Sequence, residues 1–129
     1  MSLEASVASL LHDAIRSGTP VLLGTLGEIY AERSGVLNLG VEGMMIMGAV
    51  TGFGVTLATG NVWLGILAGA IVGGLSALIH AFLSVTLRAN QVVSGLALTM
   101  FGLGMSGLIG GVFVGLPLLT PLRPISIPI

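Results

Sequence analysis

The chain is 129 residues long, 54% hydrophobic and only 7% charged, with a net charge of −1 and a mean hydropathy of +1.11, whereas soluble domains carry about 25% charged residues. Such a composition describes a membrane protein. Its few basic residues are all arginines, which leaves no basic patch for nucleic acid and no polybasic cluster for lipid headgroups, and the absence of cysteine excludes disulfides, thiol catalysis and thiolate metal sites.

Leu3, Val7, Leu10, Leu11 and Ile15 follow helical spacing and predict an amphipathic helix over 3–17, at the interface or at the start of a tilted span. Glu4 and Asp13 stand where a cleaved signal would carry a basic lead, so no such signal is expected. Gly18 and Pro20 predict a kink. The apolar run 19–31 would reach only about 20 Å as a helix, short of a ~30 Å hydrocarbon core. It must join the preceding helix or be shielded by protein, giving a first segment over roughly 3–33.

Three longer segments follow at roughly 36–59, 62–87 and 91–119, each above the ~20 residues a spanning helix needs. Thr59-Gly60-Asn61 predicts a tight turn with Trp63 as an interfacial anchor, and Arg88-Ala89-Asn90-Gln91 a polar one. The expected fold is therefore all-α: a polytopic transmembrane bundle of about four membrane helices. Pro117, Pro121, Pro124 and Pro128 then predict an irregular loop over 116–129. The sequence stops at "ISIPI" with no following element, so the chain is expected to be truncated. Arg33 and Arg88 share a side and Arg123 lies opposite, which leaves the membrane orientation open.

Small residues recur at four-residue spacing in every long segment: Gly48 and Gly52; Gly65, Gly69 and Gly73; Gly107, Gly111 and Gly115. Lipid offers no hydrophobic drive between helices, so backbones that approach closely along such ridges supply the packing.

The most unusual stretch is "ERSGVLNLGVEGMM", residues 32–45. A charge at the bilayer centre costs about 2.5–3.5 kcal/mol on insertion scales, so Glu28, Glu32 and Glu42 each call for a partner or a watery cavity. Glu28, Glu32 and Arg33 are expected to form a structural ion-pair cluster closing a helix end. Gly35, Gly40 and Gly43 surround Asn38 and Glu42, a density of glycine that allows a broken helix. Glycine-interrupted apolar segments at membrane depth point to a protein-lined pathway.

"GEIYAERSGVLNLGVEGMMIMGA", residues 27–49, followed by "LRANQVVSGLALTMFGLGMSGLIG", residues 87–110, resembles the permease subunits of ABC importers in the branched-chain amino acid and ribose-type superfamily, nearest the simple-sugar/nucleoside branch. The resemblance covers residues 5–129. It implies that 1–129 is the N-terminal part of a single transmembrane permease domain, in a bacterial or archaeal plasma membrane. It further implies a second permease subunit, a cytoplasmic ABC ATPase carrying ATP and Mg, and an extracytoplasmic solute-binding protein or lipoprotein, with no cofactor on this chain. Asn38, Gly40, Glu42 and Gly43 match the broken-helix motif of the pathway, which implies a hydrogen-bonding role for Asn38 toward pathway or backbone and a structural one for Glu42, capping freed amides at the break. Asn90 and Gln91 either cap their helix or face the pathway. A polar, neutral lining suits a nucleoside or simple sugar; another small solute, a pentose or a branched-chain amino acid, is the alternative within transport.

The residues agree on one point independently of the family: without lysine the sequence holds no G-x-x-x-x-G-K-[ST] phosphate loop, so ATP hydrolysis is expected on another chain. His12 and His80 are too far apart to suggest zinc, His80 reads as a histidine hydrogen-bonded within the bundle or as a proton relay, and Met44, Met45 and Met47 read as packing residues. Two other classes compete with the importer: a non-transporting membrane scaffold, and an ion-coupled transporter using Glu28, Glu32 and Glu42 as proton sites.

Overall fold

The computed structural model describes residues 3–118; the expectations for Pro121, Arg123, Pro124 and Pro128 lie outside the described residues. Four helices follow one another: α1 Leu3–Arg33, α2 Val41–Thr59, α3 Val62–Ala81 and α4 Gln91–Gly110. A π-helical turn, Phe82–Thr86, extends α3, and a 3-10 turn, Gly111–Phe113, extends α4. The fold is an all-α bundle. Among the described residues three helices are long and apolar enough to cross a membrane: Val41–Thr59, Val62–Thr86 and Gln91–Phe113.

α1 is one helix from Leu3 to Arg33, with Gly18 and Pro20, the residues of the expected kink, inside it. It buries no residue. With Glu4, Asp13, Arg16, Glu28, Glu32 and Arg33 along its length it is the least apolar of the four, which is why composition does not mark it as a span.

The connections follow from local chemistry. Gly60 takes the left-handed conformation (φ 66°) that ends α2, and Asn61 caps α3 by accepting from the amides of Trp63 and Leu64. Asn90 caps α4 by accepting from Val93 N–H at 3.2 Å. Between α3 and α4, Arg88 adopts φ 50°, a left-handed conformation uncommon for a residue with a Cβ. α4 gives way to the 3-10 turn at Gly111, short of the expected residue 119, and Gly115 lies beyond it in a turn with φ 81°.

α2 and α3 form an antiparallel hairpin whose backbones touch at paired glycines. A Cβ built on Gly48 would lie 3.1 Å from the Gly69 carbonyl oxygen, and one on Gly52 would lie 3.1 Å from that of Gly65. A Cβ on Gly65 would run into the Thr56 hydroxyl and come within 2.6 Å of the Gly52 carbonyl, while Gly73 faces Met44 more loosely at 3.8 Å. α4 lies parallel to α2 and meets it through a different set of glycines from the expected one. A Cβ on Gly43 would sit 2.7 Å from Thr99 Cα, and one on Gly102 would sit 2.7 Å from Gly43 Cα. Gly107 and Gly111 meet nothing within 4 Å among the described residues. Farther along, the Phe53 and Phe113 rings pack at 5.7 Å between centroids.

Burial is inverted relative to a soluble domain. Among the described residues the buried polar side chains are Thr56, His80 and Ser84, the one buried large apolar side chain is Met44, and large apolar groups line the outside. Hydrocarbon as solvent reverses the usual sorting, and small residues rather than a greasy core bring the helices together.

Candidate functional site

The site is the break between α1 and α2. α1 ends in a Schellman motif: Gly35, at φ 82°, donates to the Glu32 carbonyl at 2.9 Å, and Val36 N–H donates to the Ala31 carbonyl at 3.0 Å. The chain then runs without helical hydrogen bonds to Gly40, the N-cap of α2. A Cβ on Gly95 would lie 2.8 Å from Leu39 N and 3.1 Å from Gly40 N. Leu39 and Gly40, just before α2, therefore lie about 6 Å along the axis of α4 from its start, about one turn in at 1.5 Å per residue. Where non-helical backbone lies within a bilayer, protein or a water-filled cavity must take up its polar groups.

Side chains from α1, α3 and α4 do so here. Gln91 holds two groups at once, accepting from Leu37 N–H at 2.7 Å and donating from Nε2 to the Gly35 carbonyl at 3.3 Å. Glu28 Oε1 accepts from Asn38 N–H at 2.8 Å. The Thr99 hydroxyl donates to the Leu39 carbonyl at 2.8 Å. Asn38 turns its own Oδ1 onto Gly40 N–H at 3.0 Å, an Asx-type turn that replaces the missing helical bond, and Met44 N–H resumes the helix by donating to the Gly40 carbonyl.

His80, 3% exposed, completes the set. Its Nε2 lies 3.1 Å from the Leu37 carbonyl, which can only accept, so Nε2 carries the proton. In the neutral ring Nδ1 is then an acceptor, and the Ser94 hydroxyl at 2.7 Å donates to it. Ser84 Oγ lies 3.4 Å from Nε2.

The expected site residues separate clearly in space. Asn38, Gly40 and Gly43 lie at the break: Gly40 and Gly43 are buried against α4, where a Cβ on Gly40 would meet the Gly95 carbonyl at 3.2 Å. Glu42 is exposed in the first turn of α2, and it is Asn38, not Glu42, that covers the freed amide. Asn90 caps α4, while Gln91 reaches across to the break. The ion-pair cluster of Glu28, Glu32 and Arg33 does not form among the described residues, whose one ion pair is His12 with Asp13 at 3.3 Å. Glu28 and Arg33 stand five residues apart, about 140° around the helix at 3.6 residues per turn, so they point to different sides. Sequence reasoning gave no role at the break to Thr99 or Ser94. The polar residues at 91, 94 and 99 of α4 were its available signal.

Beside the break lies a cavity of about 390 Å³, lined among others by Glu28, Ser34, Asn38, Met44 and His80. Glu28 Oε2 is the one buried side-chain oxygen or nitrogen without a hydrogen-bond partner among the described residues. The arrangement is mostly apolar with a few convergent polar atoms, and among the described residues no group of acids and histidines could hold a metal ion.

A family model described as the permease component of a branched-chain amino acid transport system matches residues 10–120. The chain is 50% identical over 107 residues to a candidate glucose ABC transporter permease of Haloferax volcanii, covering 83% of this chain and 32% of that protein. It is 45% identical over 91 residues to a guanosine ABC transporter permease of Bacillus subtilis, covering 66% of this chain and 28% of that protein. A nucleoside ABC transporter permease of Lactococcus lactis is 35% identical over 106 residues, 78% of this chain and 33% of that protein. The chain thus spans about a third of the length of the curated relatives it matches. No solved structure matches it.

Proposed function

Because this chain belongs to the family of branched-chain amino acid transport system permease components, we propose that it forms part of the translocation pathway of an ATP-driven importer for a nucleoside or simple sugar. It is a multi-pass integral membrane protein. The observation that carries the reading is the non-helical segment 36–40, set beside α4 and held by the side chains of Glu28, His80, Gln91 and Thr99. A segment so held keeps its backbone groups paired without being helical, where unpaired backbone in lipid would cost several kcal/mol per group.

The solute class rests on the relatives named for glucose, guanosine and nucleosides and on the chemistry nearby. Ser34 Oγ, which donates to the Tyr30 carbonyl, and Asn38 Oδ1, which accepts from Gly40 N–H, keep acceptor capacity beside the cavity, neutral groups that suit hydroxyls. In this proposal a second permease subunit completes the pathway, an ABC ATPase on the cytoplasmic side binds ATP and Mg and hydrolyses the nucleotide, and an extracytoplasmic solute-binding protein delivers the solute. The chain itself carries no cofactor. Its 129 residues act as part of a single permease domain in a bacterial or archaeal plasma membrane.

The test is uptake by the complete transport system in proteoliposomes, with guanosine and glucose as labelled solutes. ATP-dependent accumulation of one of them, lost when Asn38 is replaced by leucine although the assembly still forms, supports the proposal. Accumulation unaffected by substitution throughout 36–40 removes this segment from the pathway.

A further inference from the structure

His80 joins three parts of the fold that are remote in sequence. Its Nε2 holds the Leu37 carbonyl in the break, its Nδ1 takes the Ser94 hydroxyl on α4, and Ser84 Oγ in the π-helical turn lies within reach of the same ring. Ser84 precedes the α3–α4 turn and Ser94 follows it, so the imidazole clasps both flanks of that turn. Gln91, the first residue of α4, adds a second clasp, and between them the two side chains hold both backbone groups of Leu37: Gln91 takes the N–H and His80 the carbonyl. The turn itself carries a non-glycine residue at positive φ, Arg88, next to a π-helical turn, two local departures from regular helix.

We propose that His80 is a positioning residue that makes the α3–α4 turn and the 35–40 break move as one unit, so that a displacement of the turn is delivered to the non-helical segment through the Leu37 peptide. The inference rests on this geometry and holds whichever solute crosses. The proton on Nε2 is what the coupling needs; a side chain that can donate at that place preserves it, and one that cannot releases the carbonyl into an apolar interior.

Hydrogen–deuterium exchange on the full chain in its assembled transporter tests this, following peptides from 35–40, from 82–90 and from the glycine-paired middle of α2. His80→Ala should raise exchange in 35–40 and 82–90 together by about tenfold or more, the factor carried by ~1.4 kcal/mol, with the α2 peptide unchanged. His80→Gln, whose amide can donate to Leu37 and accept from Ser94, should return most of the protection in both segments. Unchanged exchange in 35–40 with His80→Ala, or a rise confined to 82–90, overturns the proposal. An equal rise in the α2 peptide also overturns it, since that would make His80 a determinant of folding rather than of this coupling.

Discussion

Gln91 Oε1 accepts the backbone N–H of Leu37 at 2.7 Å, joining the first residue of α4 to the middle of the break across 54 positions of sequence. The same side chain donates to the Gly35 carbonyl, so its carboxamide matches a donor and an acceptor two residues apart in the break. Gln91→Ala should lower stability in detergent by about 1 kcal/mol, the net worth of a hydrogen bond whose partner, the Leu37 N–H, is only part-buried. Gln91→Glu keeps the acceptor for Leu37 but loses the donor for Gly35, and should fall between the two.

Gly43 and Gly102 make the closest backbone approach between α2 and α4. Because an added methyl on either would meet main chain rather than a movable side chain, Gly43→Ala and Gly102→Ala should each destabilise by about 1–3 kcal/mol. Gly107→Ala has open space and a better helix former in its favour, so it should be neutral or stabilising by up to about 1 kcal/mol. Melting temperatures of the three variants in one detergent decide the matter; a penalty at Gly107 equal to that at Gly102 contradicts the packing described.

Glu28 uses one carboxylate oxygen on the Asn38 amide and leaves the other buried without a partner. Glu28→Gln keeps the useful acceptor and should leave stability close to that of the parent protein. Glu28→Ala frees the Asn38 amide and should cost about 1–3 kcal/mol. Equal losses for both variants would mean that the charge, not the hydrogen bond, is what the fold uses.

Much of this architecture was legible in the sequence. Composition, helical spacing and the turn residues Thr59-Gly60-Asn61 place the helices at roughly the observed positions, because membrane helices are set by local apolar length and by capping chemistry. The α2–α3 contact also follows from the spacing of Gly48, Gly52, Gly65 and Gly69, since a short turn forces neighbours to be antiparallel. The α2–α4 contact was harder to read. Gly95 and Gly102 are seven residues apart, two helical turns on one face, yet the four-residue pattern drew attention to Gly107, Gly111 and Gly115 instead. The clasp on the break was not legible either: His80 and Gln91 reach Leu37 over 43 and 54 positions, and no local pattern encodes such pairings. Glu28 was singled out for its cost in the membrane, but its partner is a backbone amide, which side-chain charge patterns do not reveal.

Asn38 closes the break by covering Gly40 N–H at 3.0 Å. Asn38→Asp keeps that acceptor and should retain the start of α2. Asn38→Ala should cost about 1 kcal/mol, as loss of a helix-capping side chain does, and should raise amide exchange at Gly40 before it affects the rest of α2.

The central claim is that this chain serves an importer driven by ATP. Uptake of labelled guanosine and glucose in source cells, with the gene deleted and then restored, tests it most directly when ATP and the proton gradient are removed separately. The account predicts uptake of at least one solute that depends on the gene, stops on ATP depletion and persists when the proton gradient alone is collapsed. Gene-dependent uptake that survives ATP depletion and follows the proton gradient would contradict it.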